Sequence, residues 1–527
     1  MNKRLFFVFL TLYLLTASGR IDSGDGQAMF QVTHSTVHGW GFIISDAAPD
    51  QDFIGAKGES IPREAIAGSS YGSFGVDGRY YAASGPGQSL AAVPFYLLGE
   101  LAHAVFPAWS ESFWTRVCAT LLNTFVTAGT VMLVAATARL FFDEVTSLTV
   151  AVLFGVATPA WPYAKSFFNE PLVGGLGLLA GYAAMRARRD AHFGWYALSG
   201  VALGAAVFVR PTALLIVLPV GGYLFLTCHP DKTRWFAWGS GLAVSLALLG
   251  WYNTVRFGNP LTTGYGSRVQ WNVPLWFGGY GLLFSSGKGL VWFAPIVVPA
   301  IVALPAFIQK RPAEGWLMVG VVGVFFASHA TLNYWHGGGC WGPRYILPIV
   351  TWLILPLGII LEHKLRPSWQ EWGLAIAIAA SIVVQVLAVS VNYARHLQAV
   401  YDASSSSEEY FQRVQFSWAD SPIIGQARGL LAVSGNLRQP DRRAALGALV
   451  ASTLVAPERD DPFYDARTEA LGYLGFNAPD FWFVYGWLLG MPVAVIVVTA
   501  AALSGVFVAS VWSLRRALRL SLSNTVC

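Results

Sequence analysis

Between residues 5 and 512 the chain is a succession of apolar runs, most of them close to the length of a bilayer crossing, and each is ended by a short polar or basic break. A run of roughly 20 predominantly apolar residues is a candidate transmembrane helix. Twelve such runs are legible, at about 5–19, 115–140, 146–163, 170–186, 194–210, 211–228, 235–253, 288–308, 315–333, 344–361, 371–393 and 481–512. Only 12% of the 527 residues are charged, against about 25% in an ordinary soluble domain. The expected fold is therefore an all-α polytopic membrane protein.

The polar breaks set the expected orientation. With a cytoplasmic amino terminus, the inner loops contain Lys3 and Arg4, Arg139, "MRARRD" (185–190), "DKTR" (231–234), "QKR" (309–311), "EHKLR" (362–366) and "RRALR" (515–519). All are basic, as the positive-inside rule requires. Both termini are then cytoplasmic and the protein resides in the inner or plasma membrane. The opening "MNKRLFFVFLTLYLLTASG" has the form of a cleaved signal peptide as well as that of a first helix. The uncleaved helix is preferred, because it holds the acids that follow at a fixed depth.

This orientation puts 20–114, 254–287, 334–343 and 394–480 on the outer face. The stretch 88–106 is apolar, but counting it as a span would reverse every later helix; Pro94, Glu100 and His103 suit a helix in the interface. Three regions are expected: a membrane region 1–393 with its large outer loop, a small outer cap 394–480, and a last span with a basic tail, 481–527. The four cysteines fall at unrelated spacings and form neither a disulfide framework nor a zinc site. The net charge of +5 is scattered, which leaves no nucleic-acid footprint, and no internal repeat is visible.

The spans are almost free of acids, whereas ion-coupled transport needs ionisable residues deep in the membrane. The charges gather instead at outer helix ends: Asp22, Asp25, Asp46, Arg63, Arg79, Arg116, Glu170, Lys288 and Arg344. Chemistry at the outer surface follows, on a substrate with its tail in the bilayer and its polar head at the boundary.

A first helix followed by an acid-bearing outer loop, then "RVCATLLNTFVTAGTVMLVAATARLFF" (116–142), "WPYAKSFFNEPL" (161–172), "VRPTALL" (209–215) and "WHGGGCWGPRYILPI" (335–349), resembles the GT-C membrane glycosyltransferases. Within them the chain is similar to bacterial relatives of the protein mannosyltransferases and of the lipid A aminoarabinose transferases. The resemblance covers most of the chain to about residue 350. It implies inverting transfer of a sugar from a polyprenyl-phosphate donor to an envelope acceptor, whether protein, lipid or glycan, with membrane lipids as surroundings. The family's catalytic acid lies in the first outer loop, here Asp25 in "SGDGQ", and Gly26 stands where many relatives carry a second acid. Asp22 is the substitute candidate, one helical turn away if the segment is helical; Gly24 and Gly26 fit a loop equally well.

The chemistry gives its own reason for an acid there. An acceptor hydroxyl is a poor nucleophile, and a carboxylate can take its proton as it attacks. A phosphate leaving group needs positive charge, from arginine or lysine or from a divalent cation such as Mg or Mn held by Asp25 and Asp22. Glu170 in "FFNEPL" is the assisting acid, or else an acid in the first turn of a helix. Arg116, Arg344, Lys288 in "SSGKGL" and His336 are the candidate substrate contacts; interfacial anchoring is the other reading of the two arginines. Asp46 reads as a turn residue. "GSSYG" around Ser70 and "HGGG" (336–339) imitate hydrolase motifs but occur in the reverse order and without a sheet. A lipid-linked-sugar flippase and a non-catalytic lipid-binding subunit are the alternative functions.

Overall fold

The computed structural model describes residues 2–21, 23–44, 53–54, 60–61, 71–107, 109, 111–228, 231–362, 368–454 and 474–523. Asp22, Asp46, Arg63 and Ser70, on which expectations were placed, lie outside the described residues. Nearly all the rest is helix, with two short hairpins, Phe53–Ile54 with Ser60–Ile61 and Gly72–Phe74 with Tyr80–Ala82.

Helix α1 (Asn2–Leu15) is followed by α2 (Gly24–Val37), α3 (Gly87–Val105), α4 (Glu111–Ala138), α5 (Glu144–Ala157), α6 (Glu170–Asp190), α7 (Phe193–Val209), α8 (Leu214–Cys228) and α9 (Lys232–Phe257). Then come α10 (Leu275–Phe284), α11 (Val297–Lys310), α12 (Pro312–Ala330), a broken helix over 344–362 and α13 (Ser368–Ser390). Helices α14 (Tyr393–Asp402), α15 (Ser407–Phe416), α16 (Pro422–Arg438) and α17 (Pro440–Leu454) form the region expected as a cap, and α18 (Val493–Ser523) closes the chain. Among the described residues six helical segments are long and apolar enough to cross a membrane, within 111–138, 211–228, 312–330, 344–362, 369–390 and 493–519.

Packing follows from small and back-bonded side chains. In α4, Thr115, Thr130 and Thr137 donate their hydroxyls to the carbonyls four residues earlier, so an apolar setting does not leave them unpaired. Helices α7 and α9 meet backbone to backbone: a Cβ on Gly200 would fall 1.8 Å from the Trp238 carbonyl oxygen, and one on Gly204 2.6 Å from that of Gly241. This is small-residue packing of the kind membrane helices use in place of a hydrophobic driving force. Helix α3 runs antiparallel to the start of α4, with Gln88 donating to Asn123 and Gly99 against Thr115. Leu97, Leu98, Leu101 and Val105 are left exposed on it.

Several expected spans are divided, and in two of them the cause of the break is visible. The run 288–308 is a short turn, Leu290–Phe293, then a break at Ala294–Ile296 before α11. Pro295 has no N–H to continue the ladder. Helix α13 takes up the freed groups: Ser381 Oγ accepts from the Ile296 N–H at 2.8 Å, and Gln385 donates to the Phe293 carbonyl at 2.6 Å. The run 481–512 is Trp482–Leu488 followed by α18, with Gly490 at φ +85° between them. Only the left-handed conformation available to glycine makes that turn cheap.

One buried ion cluster ties the end of the cap region to the end of α1. Asp480 receives Arg20 Nε at 2.9 Å, Lys165 Nζ at 2.7 Å and the Tyr485 hydroxyl at 2.5 Å. The chain leaving α1 toward α2 is thereby fixed.

Candidate active site

The site is built first by the start of α2. Ser23 caps it, its Oγ accepting the Gly26 N–H at 3.0 Å. Asp25 is thus a first-turn acid, stabilised by the positive end of the helix. The choice between helix and loop is settled for Asp25 in favour of the helix, and the glycines have a steric reason. A Cβ on Gly24 would lie 2.2 Å from the Tyr71 ring, and one on Gly26 2.8 Å from Ile21 Cγ2 and 2.9 Å from Ser23 Oγ. A second acid at 26 would have to displace the side chains of Ile21 and Ser23.

The second wall is the start of α6, where Glu170 follows Asn169 and precedes Pro171, a residue suited to a helix start. The preceding loop hangs from α4: Asn123 Nδ2 donates to the carbonyls of Ser166 and Phe168 at 2.8 and 2.7 Å, and Thr124 to that of Ala164 at 2.9 Å. The third wall is Arg210, extended at φ −149° because Pro211 disfavours helix in the residue before it. The fourth is the loop entering the broken helix, where Gly337, Gly338 and Gly342 have φ of 70°, 72° and 60° and Arg344 follows.

These walls enclose a cavity of about 350 Å³ lined by Asp25, Tyr71, Glu170, Arg210, Tyr265, Arg268, Arg344 and Tyr345 among others. Arg344 links the two acids, with Nη1 2.8 Å from Asp25 Oδ2 and Nε 3.3 Å from Glu170 Oε1. Arg210 Nη1 reaches the same Glu170 oxygen at 2.5 Å. The guanidinium of Arg344 lies 4.4 Å above the Phe168 ring and 4.8 Å above that of Tyr345; Arg210 lies 4.6 Å above Tyr345. Arg268 is held by the carbonyls of Gly72 at 2.6 Å and Gly264 at 3.0 Å. Three guanidiniums therefore face two carboxylates. The acids differ: the Glu170 side chain is 2% exposed and Asp25 39%. Glu170 is spent holding two arginines, while Asp25 is open to the cavity. Burial raises the Tyr265 phenol above its usual range, Arg210 opposing, so it serves the cavity as a neutral hydroxyl.

Asp25, Glu170 and Arg344 are thus brought together in one cavity; Arg116, Lys288 and His336 lie outside its lining. Arg116 stacks 4.6 Å over Phe30 and reaches Gln27 Oε1 at 3.4 Å, bracing α2. Lys288, expected as an anion cradle, is fully buried and gives its ammonium to the carbonyls of Gly338 at 3.0 Å and Cys340 at 2.5 Å. It shapes the glycine loop. His336 accepts the Gly338 N–H at 3.2 Å, and burial, with Lys288 and Arg344 nearby, lowers its pKa to about 3. A neutral imidazole there offers no charge to a phosphate. Arg210, Arg268 and Tyr265 were not singled out beforehand, although Arg210 and Arg268 are cations on the face where the positive-inside rule expects few.

Among the described residues one group of side chains lies close enough to share a metal ion: His38, Glu100 and Glu111. It is at the other end of α2, about 20 Å from Asp25 at the helical rise. Asp25 is not part of it.

Solved structures similar to this chain include ArnT from Cupriavidus metallidurans bound to undecaprenyl phosphate, at 15% identity and a TM-score of 0.49 over 92% of this chain and 77% of that one. The same protein in the apo state gives a TM-score of 0.46 at 15% identity, over 92% and 75%. The archaeal oligosaccharyltransferase AglB from Archaeoglobus fulgidus, in complex with an inhibitory peptide and a dolichol-phosphate, is 10% identical with a TM-score of 0.41, over 88% of this chain and 60% of that one. No family model matches the sequence, and no curated protein matches it.

Proposed function

We propose that this chain is a GT-C type glycosyltransferase that moves a sugar from a polyprenyl-phosphate carrier to a hydroxyl of an envelope acceptor on the outer face of the membrane. The observation that carries the reading is an accessible carboxylate, Asp25, 2.8 Å from Arg344 in a cavity where Arg210 and Arg268 converge. Asp25 takes the acceptor proton as the acceptor oxygen bonds to the anomeric carbon. The bond from that carbon to the carrier phosphate breaks, and the electron pair leaves with the phosphate. The arginines compensate the charge left there. One displacement inverts the anomeric centre. Glu170 positions Arg210 and Arg344 and stays out of the proton transfer. A divalent cation, Mg or Mn, on Asp25 and Asp22 would share the work of the arginines.

The test is transfer from radiolabelled polyprenyl-phosphate sugars in membranes containing the wild type, Asp25→Asn or Asp22→Asn, with and without a chelator. Loss of roughly 10²–10⁴ in rate for Asp25→Asn at unchanged protein level is expected for a general base. Undiminished transfer in that variant sinks the role of Asp25, and chelator resistance removes the cation.

A further inference from the structure

Helix α6 carries Glu170 at one end and Arg188 and Arg189 at the other, eighteen residues on, which is about 27 Å along the axis. That is close to the hydrocarbon thickness of a bilayer, roughly 30 Å. At this second end the fold unites two basic clusters that are 122 residues apart in sequence, Arg188 to Lys310. Arg188 and Arg189 from α6 meet Lys310, Arg311 and Glu314 from the turn between α11 and α12 around a cavity of about 440 Å³.

The charges there do not cancel. Arg188 is paired with Glu314 at 2.6 Å, and Glu314 also accepts the Tyr223 hydroxyl at 3.1 Å. Arg189 donates to the Leu140 carbonyl, and no acid pairs with it among the described residues. Lys310 and Arg311 are exposed and have no acidic partner among the described residues. Four cations thus face one carboxylate. Trp316, two residues beyond Glu314 on α12, is 64% exposed, and Phe225 and Leu226, just after the Tyr223 of α8 that bonds Glu314, are 61% and 71% exposed. A tryptophan next to a cationic pocket at a helix end is the arrangement found at headgroup level; the apolar surface beside it suits acyl chains.

We propose that this pocket binds the phosphate headgroup of an anionic phospholipid in the leaflet opposite the candidate active site. A general basic bias of the loops attracts anions along the whole face, whereas a pocket makes one lipid bind preferentially and places the dependence on these few residues. The inference does not depend on the proposed transfer reaction.

The experiment uses the purified full chain in neutral detergent. Native mass spectrometry reads retained lipid after addition of dioleoylphosphatidylglycerol, dioleoylphosphatidylcholine or inorganic phosphate, for the wild type and Lys310→Gln/Arg311→Gln. With about 1 kcal/mol per basic residue near an anionic lipid surface, loss of two cations weakens phosphatidylglycerol binding roughly 30-fold. Phosphatidylcholine binding should not change. Equal retention of the two lipids by the wild type overturns the proposal, as does undiminished phosphatidylglycerol binding in the double variant. Inorganic phosphate bound as tightly as the lipid also overturns it, since the site would then be one for a free anion. Should the double variant not fold, a salt series on the wild type decides, because headgroup binding must weaken as salt rises and affinity indifferent to salt refutes it.

Discussion

Glu170→Gln and Asp25→Asn each turn a carboxylate of one cavity into an amide of nearly the same size, yet they should fail in different ways. The Glu170 side chain is 2% exposed, and one of its oxygens serves both Arg210 and Arg344, themselves 12% and 6% exposed. Removing one partner of such a buried cluster leaves charge uncompensated where water cannot screen it, at a cost of about 3–5 kcal/mol. Asp25 is 39% exposed and, among the described residues, makes one ion pair, to Arg344, which keeps Glu170 in the variant. With its carboxylate open to solvent and its arginine still paired to Glu170, this contact contributes less, about 1 kcal/mol. Glu170→Gln should therefore lower stability by roughly 3 kcal/mol more than Asp25→Asn. Denaturant titration of the purified protein in detergent, followed by tryptophan emission, measures the difference. Transfer assays on the same preparations should find Asp25→Asn folded and inactive. Equal destabilisation by the two changes, or a Glu170→Gln protein as stable as the wild type, would refute the division of labour between a buried organiser and an exposed base.

The parts of this site that could be read from sequence are those where polarity alone is informative. In a chain with 12% charged residues, an acid or a cation at the outer end of an apolar run stands out, and Asp25, Glu170 and Arg344 were found on that ground. Arg210 and Arg268 carry the same signal, the first inside "VRPTALL", a stretch that stands out by its resemblance rather than by its charge. Arg116 and Lys288 carry it too but do not line the cavity. Sequence shows that a side chain is cationic without showing whether its head meets a ligand or a carbonyl. For Lys288 the answer depends on Gly338 and Cys340, some fifty residues away. The breaks at Ala294–Ile296 and Gly490 were hidden for a related reason. Hydropathy does not change across them, and at the first the unpaired backbone is served by Ser381 and Gln385 of α13. The apolar runs, by contrast, were legible throughout, because a helix in an apolar surround satisfies its backbone locally.

Two further perturbations test the geometry. Gly26→Asp, which would place a second acid beside Asp25, should lower stability by about 1–3 kcal/mol and add no activity, since its Cβ would fall 2.8 Å from Ile21 Cγ2; a more active variant, measured in the same transfer assay, would contradict the steric account. The last concerns Asp480 and acid. Burial pushes its carboxyl up, but Arg20 and Lys165 outweigh that and hold it below the ordinary carboxylate range. A carboxyl depressed in the folded state contributes stability that is full above the unfolded value, about 3.9, and is lost as pH falls below it toward the folded value. The contribution of Asp480 should thus be constant from neutrality to about pH 5 and fade only in stronger acid. Asp480→Asn should remove it at every pH above that, taking from Arg20 and Lys165 the buried carboxylate they share, at a cost of about 3–5 kcal/mol. Because the cluster pins the chain between α1 and α2, the variant should also loosen the segment carrying Asp25, seen as faster amide exchange over residues 18–27. Exchange unchanged there, despite lost stability, would mean that the cluster stabilises the cap without positioning the site.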